Sequence, residues 1–392
     1  MTAPAAAPRI EADWLRAPAT QAVCGALTAA GHQALPVGGC VRNALLGRPV
    51  ADIDIATDAP PQAVIAIARA AGLDAVPTGI AHGTVTVLAD GRPFEVTTFR
   101  RDVATDGRRA TVAFSGDLAE DAARRDFTMN ALYCRPDGEV VDPLGGLPDL
   151  RAGRVRFVGE PAARIEEDYL RILRFFRIHA WYGDPAGGLD ADGLAACAAL
   201  QEGIDRLSRE RIGAETTKLL AAADPAPAVA AMAASGILAR VLAGADPAPL
   251  APLVHAEAAA GAQPRWQRRL ASLGWRPEWT DLLRLSRADT RALTATAAAL
   301  AADEPPAVVA WRHGAAAARD AALLRAATLG APPPADLASE IARGTAAVFP
   351  VASADLGLDG PALGRALRAL TEDWLASDFR LDAAALLARR PT

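Results

Sequence analysis

Two aspartates stand two positions apart in a short apolar stretch, "VADIDIAT", at residues 50–57. In a strand, side chains alternate between faces, so Asp52 and Asp54 are expected on one face and Ile53 and Ile55 in the core. Two carboxylates on one face repel each other unless a cation lies between them. Hard oxygen ligands suit Mg²⁺, which commonly takes one or two carboxylates together with substrate phosphates. A solvated edge strand without a ligand is the alternative interpretation.

A glycine-rich turn precedes the aspartates in "LPVGGCVRNALLG", residues 35–47. Gly38 and Gly39 would let the backbone approach a ligand closely, and the amides at the start of a helix favour phosphate. Arg42 lies on the first turn of the predicted helix and could reach the same anion. A tight strand-to-helix turn without a ligand is the alternative. The glycines, the arginine and the two carboxylates together indicate a phosphate site beside a metal site.

Other charged groups could join this site. The segment "RPFEVTTFR" (92–100) alternates as a strand does, and Glu95 would become a third carboxylate if this strand lay beside the aspartates. A cross-strand ion pair is the alternative for Glu95. Farther along, Arg124 and Arg125 precede "DFTMNALY"; on their own, paired arginines are typical of an exposed helix face.

Composition limits the classes of protein that the chain could represent. Its 392 residues are 51% hydrophobic, which is enough for two to four domains with packed cores. The net charge of −5 gives no general electrostatic reason to expect a nucleic-acid partner, so that inference must come from local clusters. The four cysteines are scattered, which favours free thiols in a reducing cytosol. With neither a secretory signal nor a membrane-length apolar run, a cytoplasmic protein is expected.

Periodicity divides the chain into a mixed part and a helical part. Two Asp-Gly dipeptides, at 90–91 and 137–138, join alternating runs and predict hairpins. Strands are expected at 33–38, 50–56, 83–89, 93–99, 132–135 and 139–142, and helices at 11–31, 41–47, 61–71 and 119–131. The polar segment 100–118 is expected to be a mobile loop or an ordinary exposed loop. From about residue 161 onward only helices are expected, either as a solenoid or as an irregular bundle.

One of these helices carries a row of charged residues. A helix over 164–179 would place Asp168, Arg171, Arg174 and Arg177 three residues apart. At about 100° per residue such a row drifts around the helix as a tilted polar stripe. The stripe could follow an extended ligand, or it could reflect ion pairing on a solvated helix.

The motifs occur in an order that resembles a known family. These are "VGGCVRNALLG", "DIDIAT", "RRDFTMNALY", "DPLGGLPDLRAGRVRFVG" and "RIEEDYLRILRFFR". Together they resemble the bacterial and eukaryal-type (class II) CCA-adding tRNA nucleotidyltransferases and the related bacterial poly(A) polymerases. The resemblance is dense over 35–180 and weaker over 204–220, where "IDRLSRERIGAETTKLL" is similar to the neck helices of the family.

The resemblance implies an α+β fold: a nucleotidyltransferase head with a mixed, largely antiparallel sheet, followed by an all-α neck, body and tail. The implied division is an N-terminal helical segment at 1–31, the head at 32–150, the neck at 151–222, and a tRNA-binding body and tail at 223–392. The neck would complete the nucleotide site and begin the RNA-binding region.

The resemblance also implies roles for individual residues. Asp52 and Asp54 would bind the catalytic Mg²⁺, with Glu95 as a third acid, and the Gly38–Gly39 turn and Arg42 would hold the triphosphate. Arg125 would contact the incoming nucleotide. The remaining nucleotide-binding residues would be Asp168 and Arg171, which read the base edge, and Arg174 and Arg177. Asn43 departs from the family, which often has Asp there; this removes a charge beside the phosphate loop but no implied metal ligand.

The implied activity is template-independent addition of CCA to tRNA 3′ ends from CTP and ATP, with release of pyrophosphate. A poly(A) polymerase, a split enzyme adding only C or only A, and a non-catalytic RNA-binding relative are the alternatives. The C-terminal part lacks a terminal Lys/Arg run for holding generic RNA, which favours tRNA. The presence of Asp52, Asp54, Arg42 and Arg125 argues against a non-catalytic relative.

Overall fold

The computed structural model describes residues 8–106, 109–302 and 304–389. The chain divides into two compact units, Met1–Ala243 and Gly244–Thr392. The first unit contains every strand of the described residues, and the second is helical. The mixed-then-helical organisation expected from the sequence is therefore confirmed, while the finer four-part division stays a prediction.

The strands of the first unit form a five-stranded sheet and two small hairpins. They are β1 (Leu35–Pro36), β2 (Asp54–Thr57), β3 (Asp74–Gly79), β4 (Thr84–Ala89), β5 (Arg92–Thr98), β6 (Arg100–Asp106), β7 (Arg109–Phe114), β8 (Tyr133–Cys134) and β9 (Val140–Val141). The large sheet has the order β1-β2-β5-β4-β3. Only the β2–β5 pair is parallel, which confirms the mixed, largely antiparallel sheet.

The helices of the first unit begin before the sheet and continue beyond it. They are α1 (Asp13–Arg16), α2 (Pro18–Ala29), α3 (Gly39–Leu45), α4 (Pro61–Ala70), α5 (Leu118–Ala123), α6 (Leu147–Arg151), α7 (Pro161–Glu167), α8 (Leu170–Tyr182), α9 (Ala191–Ala199), α10 (Arg209–Leu220), α11 (Ala226–Ala234) and α12 (Ile237–Val241). Short 3₁₀ turns lie at Ile80–His82, Thr128–Asn130 and Gln201–Arg206.

One face of the large sheet is covered and the other is open. Val87 and Val96 are buried where α2 and α4 pack on the sheet, against Val23 and Val64. On β2, Ile55 is fully buried, whereas Asp54 is exposed. The alternation expected over the two aspartates is thus confirmed, and the carboxylates lie on the open face.

Both hairpins expected from Asp-Gly dipeptides are present. Asp90 and Gly91 have φ of 49° and 70°, and together they form the two-residue turn between β4 and β5. Positive φ at both positions is what a type I′ turn requires. The dipeptide at 137–138 likewise connects β8 and β9.

Three expectations about secondary structure were wrong. The segment 100–118, expected as a loop, contains the paired strands β6 and β7, and residues 107–108 lie outside the described residues. The strand β3 was missed, because its sequence DAVPTG contains Pro and Gly and shows no burial alternation. The helix expected over 119–131 ends at Ala123 and is followed by the separate turn Thr128–Asn130.

The expected helices 11–31 and 164–179 are each interrupted. The first breaks at Ala17, where Pro18 begins α2. The second breaks at Asp168, whose φ of −155° and ψ of 104° are extended. The Asp168 carboxylate accepts the backbone N–H of Leu170 at 3.1 Å, a local bond that competes with helix continuation. Asp168 therefore precedes α8 and is not part of the same helical row as the arginines.

The second unit consists of α13 (Leu250–Ala259), α14 (Trp266–Ser272), α15 (Trp279–Leu282), α16 (Arg287–Ala301), α17 (Pro306–His313), α18 (Ala315–Leu329), α19 (Leu337–Ala346), α20 (Gly360–Ala376) and α21 (Ala383–Leu387). Alanines allow close helix packing, and a Cβ at Gly344 would lie only 1.9 Å from the carbonyl oxygen of Ala307. Trp374 packs against the rings of Trp311, Phe349 and Phe379. Among the described residues, no helix is long and apolar enough to cross a membrane.

An ionic network is buried inside the second unit. Glu257 accepts from Arg268 at 2.7 Å and from Arg269 at 2.8 Å, and Arg268 also donates to Asp320 at 3.0 Å. All four side chains are at most 2% exposed. Removal of one member would leave buried charge without compensation.

We expect Glu257→Gln to destabilise this unit by about 3–5 kcal/mol, because two buried guanidinium groups lose their shared carboxylate. Urea unfolding monitored by circular dichroism measures this loss. Glu372→Gln is the matched control: Glu372 pairs with Arg312 at the surface and should contribute less than about 1 kcal/mol. Equal losses in the two variants would contradict the structural importance of the buried network.

Candidate active site

The carboxylates on the open face lie close enough to affect one another. Asp54 begins β2 and is paired in register with Glu95 of the parallel strand β5. Desolvation, together with repulsion from Glu95 and Asp52, raises the pKa of the Asp54 carboxyl, and Arg125 opposes this increase. The structure therefore brings Asp52, Asp54 and Glu95 into one acidic region beside Arg125.

This acidic region fits a divalent cation by the chemistry of its donors. Desolvation and then repulsion from neighbouring carboxylates raise the pKa of Asp54, so added positive charge would stabilise its ionised form. Within the described part of the chain, no group of three or more His, Cys, Asp or Glu residues is arranged to hold a metal ion. A pair of carboxylates supplemented by phosphate oxygens and water is nevertheless an ordinary Mg²⁺ ligand set.

The glycine turn lies beside this region. Gly38 has φ of 72° and ψ of −116°, a conformation that favours glycine. A Cβ there would lie 3.5 Å from Nη1 of Arg125 and 3.5 Å from the carbonyl oxygen of Asn130. The turn is also tied to β2, because the amide of Val37 donates to the Asp54 carbonyl at 2.9 Å. These are ordinary contact distances, so the positive φ is the feature that favours glycine, and Arg125 lies beside the turn.

Arg42 is buried behind the same turn. Its Nη1 donates to Asn130, and its Nη2 donates to Tyr182 Oη at 2.8 Å and to Asn43 Oδ1 at 3.3 Å. Burial and repulsion from Arg177 lower the pKa of Arg42. Within the described residues its buried Nε has no hydrogen-bond partner. A buried guanidinium with a spare donor and neutral direct partners is suited to an anionic ligand.

Arg125 is held by a buried acid and a tyrosine. Its Nε donates to Tyr133 Oη at 2.9 Å and its Nη2 to Asp121 at 3.0 Å, while Tyr133 itself donates to Asp121 at 2.7 Å. Although burial opposes it, contact with Tyr133 and Asp121 raises the pKa of Arg125. Arg125 therefore stays charged and fixed beside Gly38.

The arginines of α8 each have a partner from another segment. Arg174 donates to Asp126 at 2.8 Å, and Arg177 donates to Glu215 of α10 at 2.5 Å. Asp126 also accepts from Asn130 at 3.0 Å, and Asn130 accepts from Arg42. This chain of contacts connects the neck helix α8 to the phosphate-binding candidate.

The two candidate base-reading residues are held separately. Asp168 accepts from Arg211 of α10 at 2.7 Å. Arg171 pairs with Glu167 and donates to the Arg124 carbonyl at 3.0 Å. The described contact between Asp168 and Arg171 is between backbones, from the Arg171 amide to the Asp168 carbonyl at 2.9 Å.

Several site residues were missed by reasoning from the sequence. They are Asp121, Asp126, Asn130, Tyr133, Tyr182, Arg211 and Glu215. The motif "RRDFTMN" contains two of them, Asp126 and Asn130. Because the predicted arginines need acidic partners, Asp126 could have been identified from this motif. Tyr182 and Glu215 had no such signal, because their partners are far away in sequence.

A mixed sheet with acids on its open face, a glycine turn and clustered arginines defines a nucleotidyltransferase head. Residues 34–156 match the poly A polymerase head domain, and residues 189–248 match the probable RNA and SrmB-binding site of polymerase A. These two matches assign residues 34–156 and 189–248 a similarity to poly A polymerase domains.

Curated relatives agree with this assignment. The human mitochondrial CCA tRNA nucleotidyltransferase 1 is 42% identical over 190 residues, which are 48% of this chain and 44% of that protein. The CCA-adding enzyme of Anoxybacillus flavithermus is 41% identical over 211 residues, which are 53% of this chain and 51% of that protein. The chain matches about half of the length of these relatives.

Solved structures extend the similarity in fold to nearly the whole chain. The Bacillus stearothermophilus CCA-adding enzyme in complex with CTP has a TM-score of 0.75 and 29% identity, covering 95% of each chain. The Thermotoga maritima CCA-adding enzyme complexed with tRNA has a TM-score of 0.66 at 18% identity, covering 93% of this chain and 92% of that one. The second similarity concerns the fold alone.

The Asp126–Arg174 pair predicts a specific dependence of stability on pH. Burial opposes ionisation, but Arg174, Asn130 and the Phe127 amide lower the pKa of Asp126 to about 2. Since the unfolded value is about 3.9, the pair contributes its full stabilisation above about pH 4 and loses it as the pH falls through about 2. The shift corresponds to about 2 kcal/mol.

We expect Asp126→Asn to be less stable than wild type near neutral pH, and the difference to shrink between about pH 4 and pH 2. Urea unfolding at several pH values measures both effects. Asp205→Asn is the control, because Asp205 forms a surface pair with Arg240. A stability difference that stays constant across this acid range would show that ionisation of Asp126 is not linked to folding.

Proposed function

We propose that the chain is a template-independent RNA nucleotidyltransferase that adds CCA to tRNA 3′ ends from CTP and ATP. The observation that carries the proposal is the proximity of two oppositely charged regions. Arg125 acts on the Asp54 carboxyl and lies beside Gly38, and buried Arg42, on the helix that follows this turn, has an Nε without a described partner. The relatives named as CCA-adding enzymes support the same reaction.

The reaction joins an RNA 3′-hydroxyl oxygen to the α-phosphorus of a nucleotide, and the bond to pyrophosphate breaks. Asp52 and Asp54 would hold Mg²⁺, and Glu95 would add negative charge beside them. The ion, when bound, supplies Lewis-acid stabilisation of charge on the attacking and leaving oxygens. The protein itself contributes position and electrostatics.

Cationic and glycine residues would bind the triphosphate. Gly38 and Gly39 let the backbone come close, while Arg42 and Arg125 offset the phosphate charge by charge-assisted hydrogen bonds. Both arginines are held by other side chains before any ligand arrives. Their reorganisation on binding is therefore small, which favours electrostatic stabilisation of the transition state.

Base selection would use Asp168 and Arg171 on either side of the break before α8. A carboxylate accepts hydrogen bonds and a guanidinium donates them. Cytosine and adenine each present an amino donor beside a ring acceptor, so one protein pair could accept both. Arg174 and Arg177 would complete the site, with their orientation fixed by Asp126 and Glu215.

The RNA partner is proposed to be tRNA, bound along residues 223–392 and the end of the neck. The family match to an RNA-binding region at 189–248 supports an RNA contact that begins within the first unit. We also propose a cytoplasmic location. A poly(A) polymerase is the second candidate, because the head domain matches the family of that name.

The proposed function predicts a defined product. The purified protein, Mg²⁺ and tRNA lacking its 3′ end are expected to give C, C and then A with CTP and ATP, and then to stop. Denaturing gel electrophoresis of the labelled tRNA resolves each addition. An extended A ladder on unrelated RNA would support the poly(A) polymerase, and C-only or A-only addition would indicate a split activity. No incorporation with any divalent ion would contradict both.

The acidic region predicts that the ionised Asp54 carboxylate lowers the stability of the fold when no metal is bound. Because the pKa of Asp54 is raised in the folded state, its ionisation at neutral pH opposes folding. We expect Asp54→Asn to melt at a higher temperature than wild type in EDTA, to lose the increase in melting temperature caused by MgCl₂, and to lose nucleotide transfer.

Differential scanning fluorimetry with EDTA or MgCl₂ measures both melting effects. Asp74→Asn, at the exposed start of β3, is the control and should respond to Mg²⁺ as wild type does. A variant at Asp54 that retains the Mg²⁺-dependent increase would contradict the metal assignment.

A further inference from the structure

The last residue of α8 makes a close contact with the candidate triphosphate residue of the head. The guanidinium carbon of Arg42 lies 3.8 Å from the centroid of the Tyr182 ring, and Arg42 Nη2 donates to Tyr182 Oη at 2.8 Å. The two residues are 140 positions apart in the chain. Tyr182 therefore contacts Arg42 through both its ring and its hydroxyl.

Tyr182 is itself held in place from several sides. The preceding Trp181 donates from Nε1 to the Lys218 carbonyl at 2.7 Å, and the Trp181 carbonyl accepts from Arg48 at 2.5 Å. The following residue, Gly183, ends α8 in a tight turn where a Cβ would lie 2.3 Å from His179 Nδ1. A side chain on such an anchored helix end can fix the rotamer of its neighbour.

The contacts of Arg42 leave its charge available. Its direct side-chain partners are the neutral groups of Asn130, Asn43 and Tyr182. A carboxylate in the place of the tyrosine would neutralise the guanidinium, whereas an aromatic ring orients it and leaves a net positive charge. Within the described residues, its buried Nε is the donor that has no partner.

We propose that Tyr182 is a positioning residue for Arg42, whose guanidinium it holds in place for the phosphate groups of a nucleoside triphosphate. The ring fixes the plane of the guanidinium, and the hydroxyl oxygen accepts the hydrogen bond from Nη2. The inference deepens the proposed function, since it assumes that Arg42 binds phosphate. The ligand class of this inference is a polyphosphate anion, and the nucleotide base does not contribute to the contact.

The test compares Tyr182→Phe, which keeps the ring, with Tyr182→Leu, which removes both contacts. Tyr169→Phe is the matched control, because Tyr169 packs with Arg206 elsewhere in the same unit. Isothermal titration without divalent metal measures binding of inorganic tripolyphosphate and of CTP. Steady-state kinetics with tRNA gives the KM for CTP separately from kcat.

We expect about tenfold weaker binding of both tripolyphosphate and CTP for Tyr182→Leu, and a smaller loss for Tyr182→Phe. The KM for CTP should rise more than kcat falls, and the preference for CTP over UTP should stay unchanged. Combining Tyr182→Leu with Arg42→Gln should add little to Arg42→Gln alone, because both changes remove one interaction. Tyr169→Phe should bind as wild type does.

Wild-type affinity for tripolyphosphate in both Tyr182→Phe and Tyr182→Leu would overturn the inference. Full additivity of the affinity losses from Tyr182→Leu and Arg42→Gln would also overturn it, as would a wild-type protein that does not bind tripolyphosphate. If circular dichroism shows that Tyr182→Leu does not fold, the test relies on Tyr182→Phe, alone and combined with Arg42→Gln. A wild type whose tripolyphosphate binding depends on Tyr182 but that transfers no nucleotide supports the inference and rejects the proposed function. Transfer with unaffected Tyr182 variants rejects the inference alone.

Discussion

The buried ion pair between Asp126 and Arg174 is the constraint on which the candidate site depends. Asp126 belongs to the head segment that also supplies Arg125, and Arg174 lies on α8. Beside this pair, Phe157 stacks on Phe175 of α8 with 5.4 Å between ring centroids, and Phe127 packs in a tilted arrangement against Phe157 at 4.9 Å. Apolar packing supplies most of the binding of α8 to the head, and the ion pair fixes its register, since a slip would leave a buried carboxylate without its cation.

This ion pair allows two clusters, one of acids and one of arginines, to persist near each other in the first unit. Within each cluster the charges have the same sign. On one side, burial, Glu95 and Asp52 raise the pKa of Asp54; on the other, burial and Arg177 lower the pKa of Arg42. Each shift means that the isolated protein pays for charges that lack a counter-ion. A divalent cation would offset the charge of the acids, and a triphosphate would offset the charge of the arginines. Binding of the two together would therefore relieve both costs. The candidate site is thus preorganised electrostatically for that class of ligand.

The sequence predicted those features whose signal is local, and it failed where tertiary contacts decide. Alternation placed Ile55 in the core and Asp54 on the open face, and Asp-Gly dipeptides gave two hairpins. Another Asp-Gly, at 106–107, did not predict a hairpin because the surrounding arginines suggested a loop. The break at Asp168 was hidden, because its cause is a side-chain bond to the Leu170 amide that periodicity does not register. The residue roles taken from the resemblance stay predictions, and the structure adds the partners that hold those side chains.

Those partners converge on α10. Arg211 holds Asp168 and Glu215 holds Arg177, and residues four apart lie on one face of a helix. One face of α10 therefore fixes a candidate base-reading residue at the start of α8 and an arginine near its end. Movement of α10 would displace Asp168 and Arg177 together, so the two groups are held in a fixed relation more tightly than ion pairs on a single solvated helix would hold them.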